Sequence, residues 1–438
     1  MRILIVSFLH PAIAAGGSQQ VAHEMFMAAS KSGHDTWLLS GVPLSHLDGF
    51  GKPGAPIVPL PGSERQYLYF PTAFDQRNFS SRDWRTNDYL RRFVSRLDPD
   101  IIHFHHYQWV GIEALRVARI AAPRAVLGLT FHDMWAICMA DGLMVTRTAG
   151  SLCERAGSVR CSDCFPELRP EFFWLREIRQ KYLMEECDLF VFPSHFIKSR
   201  YKDWGLSVDK CVVIPNGQHE IGNPAQRRGH SKRYNRFGFF GQLLEHKGAH
   251  IILEALLILA KSNSISKNGI VIELNGANKS WASRKYRQNL DRLLAELASY
   301  SSLVEVIDRG PYPHSAVAKR MANCDWVIVP STWWEIFGLV VTEAWMCGRP
   351  VLVSNIGGLA ERVKDGENGL RFPVGDANAL ALLISKVAEN PELWHKLNSS
   401  IAAPATANQM VGNYLVEWRA RMGSKLALRA TSASLADS

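Results

Sequence analysis

The chain has 438 residues, 47% of them hydrophobic, and a formal charge of +9. That length exceeds one ordinary core and suits two domains, and the apolar content excludes a disordered chain. No apolar run reaches the ~18 residues of a transmembrane span. The basic excess comes without a nucleic-acid recognition motif, so the expected partners are anionic small molecules or a lipid surface, and no nucleic acid.

Residues 2–8 read as a buried strand. His10 and Pro11 interrupt the apolar run, which argues for a strand rather than a signal peptide. The protein is therefore expected in the cytoplasm, with its eight cysteines reduced. Gly16-Gly17-Ser18 precedes a helix over 19–31, and such a turn offers free N–H groups to an anion. It does not match the G-x-G-x-x-G dinucleotide fingerprint. A second strand is predicted over 36–39.

Residues 62–96 mix aromatic residues (Tyr67, Tyr69, Phe70, Phe74, Phe79, Trp84) with arginines (Arg65, Arg77, Arg82, Arg85, Arg91, Arg92). One reading is an acceptor-side or membrane-side surface. The other is a long loop plus a packed amphipathic helix whose charged face is solvated. Asp100 to His106 (DIIHFHH) reads as a strand ending in His103, His105 and His106. A further strand over 125–130 leads to Phe131-His132-Asp133. Ligands of α/β sheets bind at the carboxyl ends of strands, so His105, His106 and His132 are candidate site residues, with plain packing as the alternative. Cys138, Cys153, Cys161 and Cys164 follow with spacing C-x14-C-x7-C-x2-C. Such a set can build a tetrahedral zinc site, or stay as four reduced thiols in a loop.

Asp188 to Ser194 (DLFVFPS) is echoed by Asp325 to Ser331 (DWVIVPS), which predicts two similarly wound α/β halves. The first half is expected to end at 218, after Ile214-Pro215-Asn216-Gly217. A basic linker with Arg227, Arg228, Lys232, Arg233 and Arg236 follows. Then come a strand over 236–241, a turn holding Gln242 and Lys247, and a helix to Ala260. A strand over 270–274 turns at Asn275-Gly276. Arg309, Gly310 and Tyr312 follow another strand.

Residues 325–369 read as strand, loop, helix, strand, Gly-rich turn and helix. The strand is Trp326 to Val329, and the helix runs from Leu339 to Cys347. At Phe337-Gly338-Leu339 the N–H groups of a starting helix face a positive dipole end, a seat for phosphate. Glu335 and Glu343 flank this seat as acceptors suited to sugar hydroxyls. The segment PSTWWEIFGLVVTEAWMCGRPVL, with Gly357-Gly358-x-x-Glu361 and Asn368-Gly369, resembles retaining glycosyltransferases of family 4, of the bacterial polysaccharide-biosynthesis type.

The resemblance implies an α/β GT-B architecture, two Rossmann-like doubly wound domains facing across a cleft. It implies an N-terminal acceptor-side domain (1–218, with a Cys-rich insertion at 138–164) and a nucleotide-sugar domain (219–405). A helix over 406–424 is expected to cross back to the first domain, ahead of a disordered tail (425–438). By the resemblance, Glu335 faces the donor sugar and Glu343 holds the ribose. Lys247 contacts the diphosphate, with Gln242 standing where the family has an arginine, which removes a bidentate charged clamp. Phe337, Gly338, Leu339, Asn275 and Gly276 complete the donor site, and Arg309, Gly310 and Tyr312 lie near the nucleobase. His132 falls beside the transferred sugar, with Gly16, Gly17 and His105 lining the acceptor or phosphate side. The implied reaction moves a sugar from a nucleotide diphosphate sugar to a hydroxyl of a glycan or lipid-linked acceptor, with retention. It needs no catalytic cofactor; any zinc on the cysteines is structural. Peripheral contact at the inner face of the membrane fits the basic balance. The alternative is a non-catalytic nucleotide-sugar or glycan-binding protein on the same scaffold.

Overall fold

The computed structural model describes residues 1–14, 16–47, 54–219 and 233–436, with side chains as far as 425. Arg227, Arg228 and Lys232 of the basic linker lie outside the described residues. The chain divides into two compact units, 1–219 with 405–438, and 220–404.

The first unit is built on ten strands: β1 (Arg2–Phe8), β2 (Asp35–Gly41), β3 (Ile57–Pro59), β4 (Gln66–Tyr69), β5 (Phe74–Asp75), β6 (Ser80–Ser81), β7 (Ile101–Phe104), β8 (Val126–Thr130), β9 (Leu189–Phe192) and β10 (Cys211–Val213). Its helices before the second unit are α1 (Gly17–Lys31), α2 (Trp84–Leu97), α3 (Ala114–Ala121), α4 (Ser158–Cys164), α5 (Pro170–Met184) and α6 (His195–Asp203). Eight strands form one sheet in the order β10-β9-β8-β7-β1-β2-β4-β3. All its pairs are parallel except β3 with β4. Parallel strands are covered on both faces, which is why their apolar runs are nearly unbroken: ILIV in β1, LFVF in β9.

The second unit holds β11 (Arg236–Gln242), β12 (Ile270–Ala277), β13 (Val304–Asp308), β14 (Trp326–Val329), β15 (Val351–Ser354) and β16 (Gly369–Phe372). Its helices are α7 (Ala249–Lys261), α8 (Arg284–Ala298), α9 (Val317–Met321), α10 (Leu339–Met346), α11 (Gly357–Arg362), α12 (Ala377–Ala388) and α13 (Pro391–Ser399). The sheet order is β13-β12-β11-β14-β15-β16, every pair parallel. The core runs through α7, whose Ile252, Leu253, Ala255 and Leu256 are all but inaccessible. Strand order reverses between β11 and β14, so a crevice opens at their carboxyl ends, the usual ligand site of such sheets.

The DLFVFPS/DWVIVPS echo has a physical basis. Asp188 accepts the Leu127 N–H at 2.8 Å, and Asp325 accepts the Arg236 N–H at 3.0 Å. In each unit the aspartate thus ties the base of its strand to the neighbouring parallel strand. The serines diverge: Ser194 caps α6 through the Ile197 N–H, whereas Ser331 donates to Glu335.

Two expectations change. The stretch 62–96 is more structured than a loop plus helix, because β4 and the β5–β6 hairpin precede α2. Tyr69, Phe70 and Phe79 are buried, while Arg65, Arg82, Arg91 and Arg92 pair with Asp35, Asp75 and Asp88. Part of the aromatic pattern is therefore core, the arginines remain at the surface in ion pairs, and Trp84 and Tyr89 are the exposed rings. The last helix, α14 (Ala407–Ala436), runs through the segment expected as a disordered tail. Residues 424–436 contain no Pro or Gly, and Ala, Leu, Lys and Arg favour continuation. Within its own unit, α14 buries Met410, Tyr414 and Trp418.

Candidate active site

The donor residues expected from the sequence gather in the second unit, at the carboxyl ends of β11, β12 and β14. Gln242 closes β11, half-buried. The turn after it carries Lys247 to Gly248, at φ +74°, where any Cβ would collide with the Pro330 carbonyl. Only glycine lets the two loops approach so closely. Lys247 Nζ consequently lies 3.0 Å from Glu335 Oε2 and 4.8 Å from the Trp333 ring centroid.

Glu335 is almost enclosed. Its Oε2 accepts from Lys247, from the Ser331 hydroxyl at 3.0 Å and from the Trp333 indole N–H at 3.0 Å. Burial pushes this carboxyl pKa up, but the Lys247 charge and these three donors outweigh burial and hold it below the usual value. All three land on one oxygen, which leaves Oε1 positioned to accept from a hydroxyl. Sequence reasoning did not anticipate Ser331 and Trp333 as its partners; the signal is their place in Pro330-Ser331-x-Trp333-x-Glu335.

Gly338, at φ +74°, begins α10 without a side-chain cap and without an acidic residue in the first turn. Its N–H groups are thus presented as an anion seat. Beneath them, Arg362 donates to the Phe337 and Gly338 carbonyls at 2.9 Å each and to the Thr342 hydroxyl at 2.8 Å. Its guanidinium stacks 3.7 Å from the Phe337 centroid. Enclosure lowers its pKa to about 9, opposed by Glu361, so it stays cationic at neutral pH. Arg362 was missed by the sequence reading, since a lone arginine after Glu361 has no periodic signature. Glu343 sits in α10, nearly buried, with His314 Nδ1 3.7 Å away.

Two expected donor contacts are absorbed by the fold. Asn275 is fully buried; its oxygen accepts from Arg320 at 3.1 Å and its amide donates to the Glu273 carbonyl at 3.3 Å. Arg320 in turn holds the Gly310 and Pro311 carbonyls, and the Gly276 N–H reaches the Gly310 carbonyl at 3.2 Å. Asn275 and Gly276 therefore shape the 309–312 turn from below. Arg309, expected near a nucleobase, pairs instead with Glu273, which is completely buried between it and Arg236. A buried carboxylate needs such partners, and β12 offers no others.

The first unit contains a second constellation. His105 Nδ1 and His132 Nε2 lie 2.8 Å apart, with rings stacked at 5.1 Å. His105 Nε2 faces the Met25 sulfur at 3.2 Å, a weak acceptor, so Nε2 carries the proton and Nδ1 accepts from His132. That assignment makes Nδ1 the acceptor nitrogen of His132. His106 Nδ1 accepts the Gln108 N–H, so its Nε2 donates to Asp133 at 2.9 Å. His103 is a packing residue, hydrogen-bonded to Thr130 and packed on Tyr414 and Trp418. Gly16 is the extended N-cap of α1, which likewise lacks a side-chain cap and an acidic first turn; Gly17 is its first residue. Cys138, Cys153, Cys161 and Cys164 are all half-buried, and none is in a disulfide. Among the described residues, no three His, Cys, Asp or Glu side chains stand close enough to hold a metal ion.

Burial lowers the pKa of His132 to about 4 and of His103 to about 3, from 6.5. Both are neutral at pH 7 when folded, while the unfolded chain binds protons below 6.5. Stability should therefore fall as pH drops from 6.5 toward 4, by about 1.4 kcal/mol per unit per histidine at most. Glu335, with its lowered pKa, adds a loss further into acid as it protonates. Melting temperature measured from pH 7.5 to 5 checks this; a flat profile contradicts it.

The family model described as Glycosyltransferase Family 4 matches residues 15–218, and that described as Glycosyl transferases group 1 matches 223–402. The glycogen synthase of Mycobacterium tuberculosis (strain CDC 1551 / Oshkosh) is 23% identical over 411 residues, covering 89% of this chain and 87% of the relative. A D-inositol 3-phosphate glycosyltransferase of Thermomonospora curvata is 28% identical over 159 residues, 36% of each chain. Among solved structures, Anabaena Alr3699/HepE in complex with UDP-glucose shares 18% identity and a TM-score of 0.60 over 98% of this chain and 99% of that one. Sucrose-phosphate synthase (tll1590) from Thermosynechococcus elongatus gives 19% and 0.60 over 99% and 100%. The solved structures show the fold, and the two family models between them account for most of the sequence. The chain belongs to glycosyltransferase family 4 and has the GT-B fold.

Proposed function

We propose that this chain moves a sugar, with retention at the anomeric carbon, from a nucleotide diphosphate sugar to a hydroxyl of a glycan or lipid-linked acceptor. The observation that carries the reading is the Lys247–Glu335 pair beside the uncapped start of α10, at the reversal point of the second sheet. The leaving diphosphate gains negative charge as the glycosidic bond breaks. Lys247 and the N–H groups at Gly338 would neutralise it, and fixed donors of this kind are worth more in an enclosed site than in water. Glu335, bound by three donors on one oxygen, suits holding a sugar hydroxyl rather than attacking the anomeric carbon. Retention then follows if the acceptor arrives on the face the diphosphate leaves, with a phosphate oxygen taking its proton.

The acceptor reading, cell-surface polysaccharide or glycolipid made at the inner face of the membrane, rests on the +9 charge and on Trp84 and Tyr89, exposed on α2. No helix among the described residues is long and apolar enough to cross a membrane.

A thermal-shift panel of UDP, GDP and ADP, each with and without its sugar, tests the donor. The matching nucleotide at about 100-fold its Kd should stabilise the fold by about 2.7 kcal/mol. A shift with NAD alone would contradict the proposal. A nucleotide-sugar shift without turnover on any hydroxyl acceptor would favour a binding protein.

A further inference from the structure

Residues 145–172 contain no buried side chain. Yet this stretch is ordered, with an antiparallel bridge between Val145 and Leu152 followed by α4. Fixing backbone costs roughly 1–2 kcal/mol per residue, and a segment without a core of its own needs a staple. Hydrogen bonds such as Cys153 N–H to the Met144 carbonyl at 2.7 Å define the turn but are exposed and individually small.

Cys153, Cys161 and Cys164 lie in this stretch, and Cys138 precedes it. Cys138 lies within electrostatic reach of Cys153 and Cys161, and Cys161 within reach of Cys153 and Cys164. Cys161 and Cys164, three residues apart on α4, share one helical face. One backbone donor points at a sulfur: the Arg147 N–H reaches Cys164 Sγ at 3.2 Å, while Cys138 Sγ donates to the Ala140 carbonyl at 3.8 Å. An N–H donor of this kind orients and stabilises a metal-bound thiolate. Arginines stand close by: Arg176 lies near Cys138 and Cys161, Arg200 near Cys153, and Arg147 covers the Phe165 ring next to Cys164. Arg147 is paired with Glu167, and Arg200 also meets Glu154 and Asp203. A divalent ion on four thiolates carries two negative charges, which the buried Arg176 helps to offset.

We propose that Cys138, Cys153, Cys161 and Cys164 bind one zinc ion tetrahedrally and that this ion staples the 138–164 segment. Four soft sulfur ligands select zinc over magnesium or calcium. The described sulfurs do not yet meet at ligand distance, so binding turns the four side chains inward and releases their thiol protons to solvent; no redox step is involved. The staple would also fix the chain just after His132 and Asp133, where Arg176 already holds the Trp135 and Ala136 carbonyls at 2.5 and 2.6 Å.

The test uses the full chain, purified without added metal. Elemental analysis should give about one zinc per chain, lost in C161S/C164S. Should that variant fail to fold, wild-type protein stripped by a chelator and given Co2+ should show thiolate-to-cobalt charge transfer with tetrahedral d–d bands. Faster proteolysis between 145 and 165 after chelation, reversed by zinc, would support the staple. Absence of both zinc and the cobalt–thiolate spectrum would overturn the proposal. So would full zinc retention in the double variant, or a Cys161–Cys164 disulfide found by mass spectrometry of unreduced protein.

Discussion

Glu335→Ala is expected to leave the affinity for free nucleoside diphosphate nearly intact while sugar transfer collapses, and Glu343→Ala to weaken both nucleotide and full donor alike. The proposed donor site gives the two carboxylates separate roles, because they sit on different parts of one unit. Glu335 is fixed in the loop by Ser331, Trp333 and Lys247, all on Oε2. Glu343 is carried on α10, about a turn beyond the phosphate seat, where a ribose would follow the diphosphate. Losing a hydrogen bond to a charged group typically costs about 1.5–3 kcal/mol, roughly ten- to a hundred-fold in affinity. For Glu335→Ala there is a second effect: Lys247 loses its partner and is left near Trp333. That freed cation should bind a diphosphate no more weakly, and so turnover falls without loss of nucleotide. Lys247→Ala removes the charge itself, and an effect of roughly 10²–10³-fold on turnover is the scale for a lost transition-state donor.

Arg362→Ala should be the most destabilising single change near the site. The side chain satisfies two carbonyls and a hydroxyl and stacks on Phe337, so its removal leaves the start of α10 unsupported. Unsatisfied carbonyls and lost packing together suggest about 2–4 kcal/mol, or roughly 5–15 °C in melting temperature for a unit of this size. Arg362→Lys should recover little, because an ammonium cannot reproduce the planar fork. Chemical denaturation monitored by circular dichroism measures the loss. A change below about 0.5 kcal/mol would mean the loop is held by other contacts.

Much of this arrangement was legible in the sequence because strand and helix periodicity are local. The strand Trp326 to Val329 and the helix start at Leu339 are where the pattern puts them. Glu335, Glu343 and Gly338 could be named from one short strand–loop–helix segment, and Lys247 from the resemblance to family 4. What escaped was long-range pairing. Glu273 lies between Arg236 and Arg309, residues 37 and 36 positions away. Asn275 is consumed by Arg320, 45 positions on, and Arg362 reaches back to Phe337 over 25. No periodicity records such partners; the parallel register of β11, β12 and β13 brings Arg236, Glu273 and Arg309 together, and α9 and α11 bring Arg320 and Arg362 to theirs. In the aromatic–arginine stretch the ion-pair partners were likewise not legible: the arginines are at the surface, but Asp35, Asp75 and Asp88 meet them there. At the other end, the tail is expected to be disordered because chain termini usually are, whereas α14 extends to Ala436 over a stretch without a breaker.

The most direct test of the donor-site account is isothermal titration of the matching free nucleoside diphosphate into wild type, Glu335→Ala and Glu343→Ala, alongside steady-state transfer rates. The account predicts wild-type-like binding with lost turnover for Glu335→Ala, and binding weakened about ten- to a hundred-fold for Glu343→Ala. Abolished nucleotide binding in Glu335→Ala, or untouched binding in Glu343→Ala, would contradict it.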